Sequence, residues 1–523
     1  MHKSGKRNVN RSIKLESLCF KFSISNLQLL VLVAPMAATQ TENYVSLKLL
    51  VDKKRNKVIF AEAGKDFVDL LFSFLTFPLG TIARLVEKKS NMEPVSVGCL
   101  NKLYQSVRDL DKECLRSDEI KGMLLQPTNS SQNYCSSLKL NIDDTEPAKY
   151  FLCTKFNGCS YSRLMNISRN KKCGCESVYT RSVSLKHCCK GFVKDGTSYL
   201  IMDNLLVISN SVRLNSLGLL QNLGVNGATS VKELIVNVTK DTVMHLLSVL
   251  DMLKCSLLSK TTLTDLFLRK QPFLESYKFV PFDLENKYNI QIMVRIFMRK
   301  SDGKVLYAQG EQDFADLLLS FLSYPLGGVV RALGGISSIE NIDFLYKSIV
   351  DFVESNYFVS EEAKNRLLDP HLASLFKNSK QILPIENPVM RYYCFYQRHN
   401  YEQSIKYSTG DYFITDEYRS EFGGKYEMLE VESPRGDYEG YVMGPRAYMA
   451  TDDLVLTPWS PISALHLIHN LKIPLHDIKD KFVIIGIKEC LTILKASLIS
   501  TSALTNGLCH LLTEVKEEIV ETN

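Results

Sequence analysis

The chain repeats itself, and that restricts its architecture more than any other feature of the sequence. Asp66 to Gly80 reads DFVDLLFSFLTFPLG and Asp313 to Gly327 reads DFADLLLSFLSYPLG, identical at 11 of 15 positions. The match continues in order. Leu124-Leu125-Gln126-Pro127 corresponds to Leu367-Leu368-Asp369-Pro370, Cys153 to Cys394, Tyr199 to Leu205 to the stretch Tyr448 to Leu454, and Leu253 to Leu257 to the stretch Leu494 to Leu498. The chain therefore reads as a leader (1–40), a first copy (41–268), a linker (269–289), a second copy (290–515) and a short tail (516–523). Copies of this length exceed solenoid units and read as tandem domains.

Each copy opens with a strand period. Val45, Leu47, Leu49 and Val51 alternate with neighbours that need not be buried, as do Ile290, Ile292, Val294 and Ile296. A polar turn and a second apolar run, Val58 to Ala61 or Val305 to Ala308, complete a β-hairpin signal. Phe67, Leu70, Leu71, Phe74 and Leu75 then share one helical face, with Asp66 at its positive end and Pro78 and Gly80 at its close. The tail of each copy reads as a strand, Ser198 to Val207 or Ala447 to Leu456, followed by amphipathic helices at Lys232 to Ser248 and Ile487 to Ser500. The expected class is α+β: two homologous domains, each with an N-terminal hairpin and helix, a ribbon-like insert and a C-terminal strand-helix segment.

Composition narrows the setting. The formal charge is +6, yet positions 1–35 hold Lys3, Lys6, Arg7, Arg11, Lys14 and Lys21 against Glu16, so the remaining body is nearly neutral. The longest apolar run, Leu27 to Ala38, is too short for a membrane span, although with the basic start it imitates a secretory signal or a transit peptide. Eleven of the 14 cysteines precede residue 260. So uneven a distribution is not that of a small secreted disulfide scaffold, and it points to a reducing compartment, cytoplasmic or nuclear.

Val45 to Ile82, Tyr199 to Val207 and Leu257 to Leu268 resemble the plant family labelled domain of unknown function 674. The resemblance covers both copies from about residue 40 onward, and Met36-Ala37-Ala38 resembles the Met-Ala start common in members. It implies no established activity. It does imply a zinc-ribbon-like stretch, matched here by Cys153, Cys159, Cys173 and Cys175 at a spacing of C-x5-C-x13-C-x-C. Four thiolates would complete a structural zinc site in the first copy, with His187, Cys188 and Cys189 close enough to substitute; the alternative is a set of free buried thiols. The C-x-C pair is tighter than the usual C-x2-C to C-x4-C, which counts against the metal. The second copy retains only Cys394.

The matching stretches differ in charge. Residues 151–195 carry nine basic and two acidic side chains, whereas 392–444 carry five basic and ten acidic. Arg169, Lys171, Lys172 and Arg181 could meet nucleic-acid phosphates. Equally, the two stretches could face each other. The plainest reading is two independent solvated loops, with the ten tyrosines of 392–444 on half-wet strands.

No phosphate-binding loop, dinucleotide fingerprint, nucleophile elbow or HExxH motif occurs. His466 and His469 read as a surface pair, Asp203 and Asp452 as turn residues, and Lys254 and Lys495 as helix-face cations. The expectation is a non-catalytic protein-interaction or regulatory module, against a nucleic-acid-binding protein or an enzyme of unfamiliar type. The last would reveal itself by a deep polar-lined pocket.

Overall fold

Strict alternation of buried and exposed side chains makes Tyr44–Asp52 (β1) a half-buried strand. It turns through Asn56, at a φ of 47°, into Lys57–Ala63 (β2), while Asp52 accepts the Lys54 and Arg55 amides at the bend. Ile292–Arg299 (β10) and Val305–Gly310 (β11) repeat this hairpin around Gly303, at a φ of 70°. Each hairpin carries a bulge at the corresponding place, Leu50/Val51 or Phe297/Met298. The structure is a computed structural model that describes residues 44–512, apart from 162, 187–189, 211–214, 226, 241–246, 270–290, 353–354, 374–375, 377–382, 384–391, 399–409, 416–425 and 433–439. The leader, nearly all of the linker, the tail and the trio His187, Cys188 and Cys189 lie outside the described residues.

Tyr199–Met202 (β6), Val207–Ser209 (β7), Val231–Thr239 (β8) and Leu247–Ser248 (β9) extend the first hairpin into a sheet of order β7-β6-β2-β1-β8-β9. Tyr448–Thr451 (β15), Leu456–Pro458 (β16) and Ile478–Ile485 (β17) build the second, of order β16-β15-β11-β10-β17. Two sequence expectations are corrected here. Lys232 to Thr239 is strand rather than helix: β8 pairs with β1 along nine residues, because Leu234, Val236 and Val238 alternate on the inner face, and the helix starts only at Val249, with 241–246 outside the described residues. The expected single strand Ser198 to Val207 is two strands, broken where Leu205 takes a φ of 64°; Leu454 does the same in the second half. The expected helix at Ile487 to Ser500 is present as Ile487–Ile499.

The helix Lys65–Ser73 buries Phe67, Val68, Leu70, Leu71 and Phe72, each fully buried large side chain contributing about 1.5–3 kcal/mol. Gln312–Ser320 is its counterpart. After each helix the chain meets the other half. Leu79 N donates to Tyr324 O and Leu326 N to Phe77 O, both at 2.9 Å, around a bridge between Pro78 and Pro325. Backbones approach closely there: a Cβ on Gly80 would lie 3.0 Å from Leu322 O, and one on Gly327 would lie 3.1 Å from Leu75 O.

Beyond this point each half finishes the other. Ser106, on the helix Leu100–Asp109, accepts from Leu456 N at 2.9 Å; Ser348, on the helix Glu340–Asp351, accepts from Val207 N at 2.8 Å. Arg116 N reaches Tyr441 O and Met443 N reaches Cys114 O, while Val359 N reaches Phe192 O and Lys194 N reaches Tyr357 O. One continuous hydrophobic core runs from Val45 to Leu508, and the described residues form one compact unit. The sequence divisions thus record similarity, whereas in space the helices Leu100–Asp109 and Glu340–Asp351 each lie on a strand of the other half.

The inserts go further. Tyr150–Cys153 (β3), Leu164–Met165 (β4) and Tyr179–Leu185 (β5) from the first half join Tyr392–Arg398 (β12), Gly410–Thr415 (β13) and Tyr426–Val431 (β14) from the second. The order is β3-β5-β13-β12-β14-β4, with the halves meeting in parallel at β5 with β13 and at β4 with β14. Reciprocal bonds between Phe151 and Asn166 link the two outer strands, closing a six-stranded barrel. Tyr150, Leu152, Met165, Val183, Tyr392, Cys394, Ile414 and Leu429 pack together as its core, and the Tyr150 and Tyr392 hydroxyls meet at 3.1 Å. The reading of 151–195 and 392–444 as independent solvated loops is therefore corrected: each segment has too few strands for its own core, and the pair supplies enough.

Candidate metal centre

At the end of the barrel, the chain leaves β3 at Cys153, makes one tight turn at Phe156–Gly158 and presents Cys159. It returns through β4 to a second turn, where Cys173 N donates to Ser177 O and Glu176 adopts a φ of 67°. That turn carries Cys173 and Cys175. Pairing of β3 with β5 sets Cys153 opposite Tyr179, so both turns point their sulfurs into one space.

The four sulfurs lie within 4.8 Å of one another, a cluster that could hold a metal ion. Cys153 Sγ is 3.5 Å from Cys175 Sγ, and Cys159 Sγ is 3.6 Å from Cys173 Sγ. A tetrahedral ion with metal–sulfur bonds of about 2.3 Å requires sulfur separations of about 3.8 Å. The close pairs therefore run between the turns, and the C-x-C spacing, which counted against a metal in the sequence, imposes no short chelate. Both of its cysteines bond across to the other turn.

Electrostatics distinguishes the thiols. Burial raises Cys153 and pushes Cys159 up to about 12, whereas the Ser177 amide, first among several hydrogen bonds, holds the half-exposed Cys175 down to about 6. Tyr161 N donates to Cys159 Sγ at 3.3 Å, and the Lys155 amide serves Cys153 in the same way. Each of these three sulfurs thus has an amide two residues further on, a geometry suited to thiolates. Tyr179, almost fully buried, packs among Cys153, Cys159 and Cys173.

A family model described as Protein of unknown function (DUF674) matches residues 41–488. The chain belongs to that family. No curated protein and no solved structure matches it.

Other sites singled out in the sequence of this DUF674 protein have structural work. Asp203 accepts Thr264 N and Thr264 Oγ1, both at 2.8 Å, while Thr264 Oγ1 also takes Val58 N. Asp452 accepts Thr505 N at 2.8 Å, and Thr505 Oγ1 takes Val305 N. Each acid clasps a turn to the hairpin of its own half, β1–β2 or β10–β11, in keeping with turn residues. Lys254 and Lys495 are corrected: both are buried rather than on a helix surface. Lys254 Nζ donates to Lys88 O, Ser90 Oγ, Met92 O and Glu93 O, and burial lowers its pKa. His466 and His469 are exposed on the helix Pro461–Asn470.

Lys171 lies 3.9 Å from Glu432 and Arg181 stacks over Tyr412, while Arg169 and Lys172 are exposed. Asn129 and Asn166 are buried, with Asn166 Nδ2 donating to Glu432 at 2.7 Å. A cleft of about 580 Å³ opens beside β2, where Lys57 faces Asp203 at 3.6 Å and Lys260 faces Glu340 at 3.1 Å. Among the described residues no helix is long and apolar enough to cross a membrane.

Sequence reasoning missed Asp69 and Asp316, which are corresponding residues of the repeat. Asp69 Oδ1 accepts Phe192 N and Val193 N, both at 2.8 Å, and Asp316 Oδ1 accepts Tyr441 N at 2.7 Å and Val442 N at 2.9 Å. Their signal was present as an acid at the same place within an otherwise apolar helical run, VDLLF or ADLLL, in both copies.

Proposed function

We propose that this protein is a non-catalytic binding module whose two halves arose by duplication and are locked through a shared barrel, and that Cys153, Cys159, Cys173 and Cys175 hold a structural zinc ion. The observation that carries the reading is the four-sulfur cluster. Four protein ligands leave no open position for a substrate, and thiolates in a tetrahedral set favour zinc. The buried acids point the same way, because Asp203 and the Oδ1 atoms of Asp69, Asp316 and Asp452 are engaged by backbone amides and hydroxyls. A protein partner is supported by Met293, Phe482 and Ile484, neighbours on β10 and β17 that are 66%, 61% and 49% exposed on the outer face of the second sheet. The occupant of that face is an apolar surface of another protein.

The test is capture by the full chain, with Phe482→Ser and with all four cysteines changed to Ser. Wild type is expected to carry one zinc per chain and to retain a protein partner at 0.5 M salt, a chosen condition of roughly 4 Å screening length. Phe482→Ser should keep the zinc and lose the partner. Capture of nucleic acid that declines steeply with salt would instead favour the phosphate-binding reading of Arg169, Lys171, Lys172 and Arg181.

A further inference from the structure

The cysteines all belong to the first half, yet the group behind them does not. Glu432 follows β14, in the second half, and its backbone N–H donates to Met165 O at 2.8 Å across the β4–β14 seam. Its side chain is fixed from two sides: Asn166 Nδ2 donates to Oε2 at 2.7 Å, and Lys171 Nζ lies 3.9 Å from Oε1. The Tyr179 ring packs against Cys173, and the electrostatic partners of its hydroxyl are Cys173 first and then Glu432. Tyr179 is 1% exposed and packed against three of the four cysteines, so its ring has no room to turn away.

We infer that Glu432 and Tyr179 are positioning residues of the metal centre, through which the second half of the chain tunes an ion bound by the first. This rests on the proposed metal site. A phenol has one proton, and it can serve either the carboxylate or the sulfur. Asn166 and Lys171 supply Glu432 independently, which leaves the tyrosine O–H to Cys173, while Glu432 acts through Lys171, whose carbonyl accepts Tyr179 N and which lies two residues before Cys173. A hydrogen bond to a metal-bound thiolate lowers the charge on sulfur and fixes its direction, and loss of such a partner typically costs 10–100-fold in metal affinity. Because Glu432 also belongs to the seam, metal binding and closure of the barrel between the halves are linked: whatever tightens one tightens the other.

The experiment uses the full chain and Co²⁺ as a spectroscopic stand-in for zinc, titrated in competition with a chromogenic chelator. Tyr179→Phe and Glu432→Gln should each weaken Co²⁺ binding by about 10–100-fold and shift the sulfur-to-cobalt charge-transfer band. Glu427→Gln, an exposed acid on β14, should do neither. Tyr179→Phe keeps the ring and the Glu432 contacts to Asn166 and Lys171, so it decides the matter even if Glu432→Gln fails to fold. Wild-type affinity and an unshifted band in Tyr179→Phe would overturn the inference while leaving the four-cysteine site intact. A wild-type chain that takes up no Co²⁺ would remove the site itself and the inference with it.

Discussion

Cys173→Ser is expected to strip the bound metal and lower stability by about 4 kcal/mol or more, the scale at which loss of a structural metal exceeds ordinary substitutions. Cys173 is buried, paired with Cys159 across the two turns and backed by Tyr179. A serine oxygen cannot replace a thiolate in a sulfur set, and the remaining three thiols would stay crowded without an ion to hold them. The turns have few apolar side chains of their own, so they should loosen, and with them the β3 and β4 edges that close the barrel. Thermal unfolding with metal content measured on the same samples checks this. Cys394→Ser is the control: it lies in the barrel core, its thiol pushed up to about 12 by burial, and it should cost stability without changing metal content.

Asp316→Ala should be comparably harmful. Its carboxylate is the acceptor for two buried backbone amides, and each unpaired amide costs about 1–3 kcal/mol. Asp316→Asn keeps an acceptor and isolates the charge. Burial, the largest influence, lifts the Asp316 carboxyl to about 6 from 3.8. A folded-state value above the unfolded one means that the native state holds the proton longer, so stability conferred by the neutral form is present below about pH 4 and lost as pH rises to about 6. The shift corresponds to about 3 kcal/mol. Relative to wild type, Asp316→Asn should therefore gain stability by roughly that amount between pH 4 and 6, a comparison in which metal release at low pH cancels. A difference that stays flat across this window would show that Asp316 is ionised throughout.

Local pattern carried the sequence reading where structure is local. The two hairpins, the apolar helix after each and the helix at Ile487–Ile499 follow from periods of two and 3.6 residues. Val231–Thr239 misled because its charges at Lys232 and Glu233 and its apolar run fit either period, and pairing with β1 decided the outcome. The barrel was illegible for a different reason: β4 and β14 are more than 250 residues apart in sequence, and neither segment contains its own core. The opposite charges of the two stretches were the one trace of their meeting, realised at Lys171 and Glu432. The four cysteines could be named from the family pattern, but the crossing of their close pairs could not, because it depends on how two turns face each other in the fold.

The central claim is a barrel assembled from both halves and stapled by one zinc on four sulfurs. X-ray absorption on the purified full chain, with elemental analysis of the same sample, tests it most directly. The account predicts one zinc per chain surrounded by four sulfur neighbours at about 2.3 Å. A metal-free chain, or a metal with nitrogen or oxygen neighbours in place of any of the four sulfurs, would contradict it.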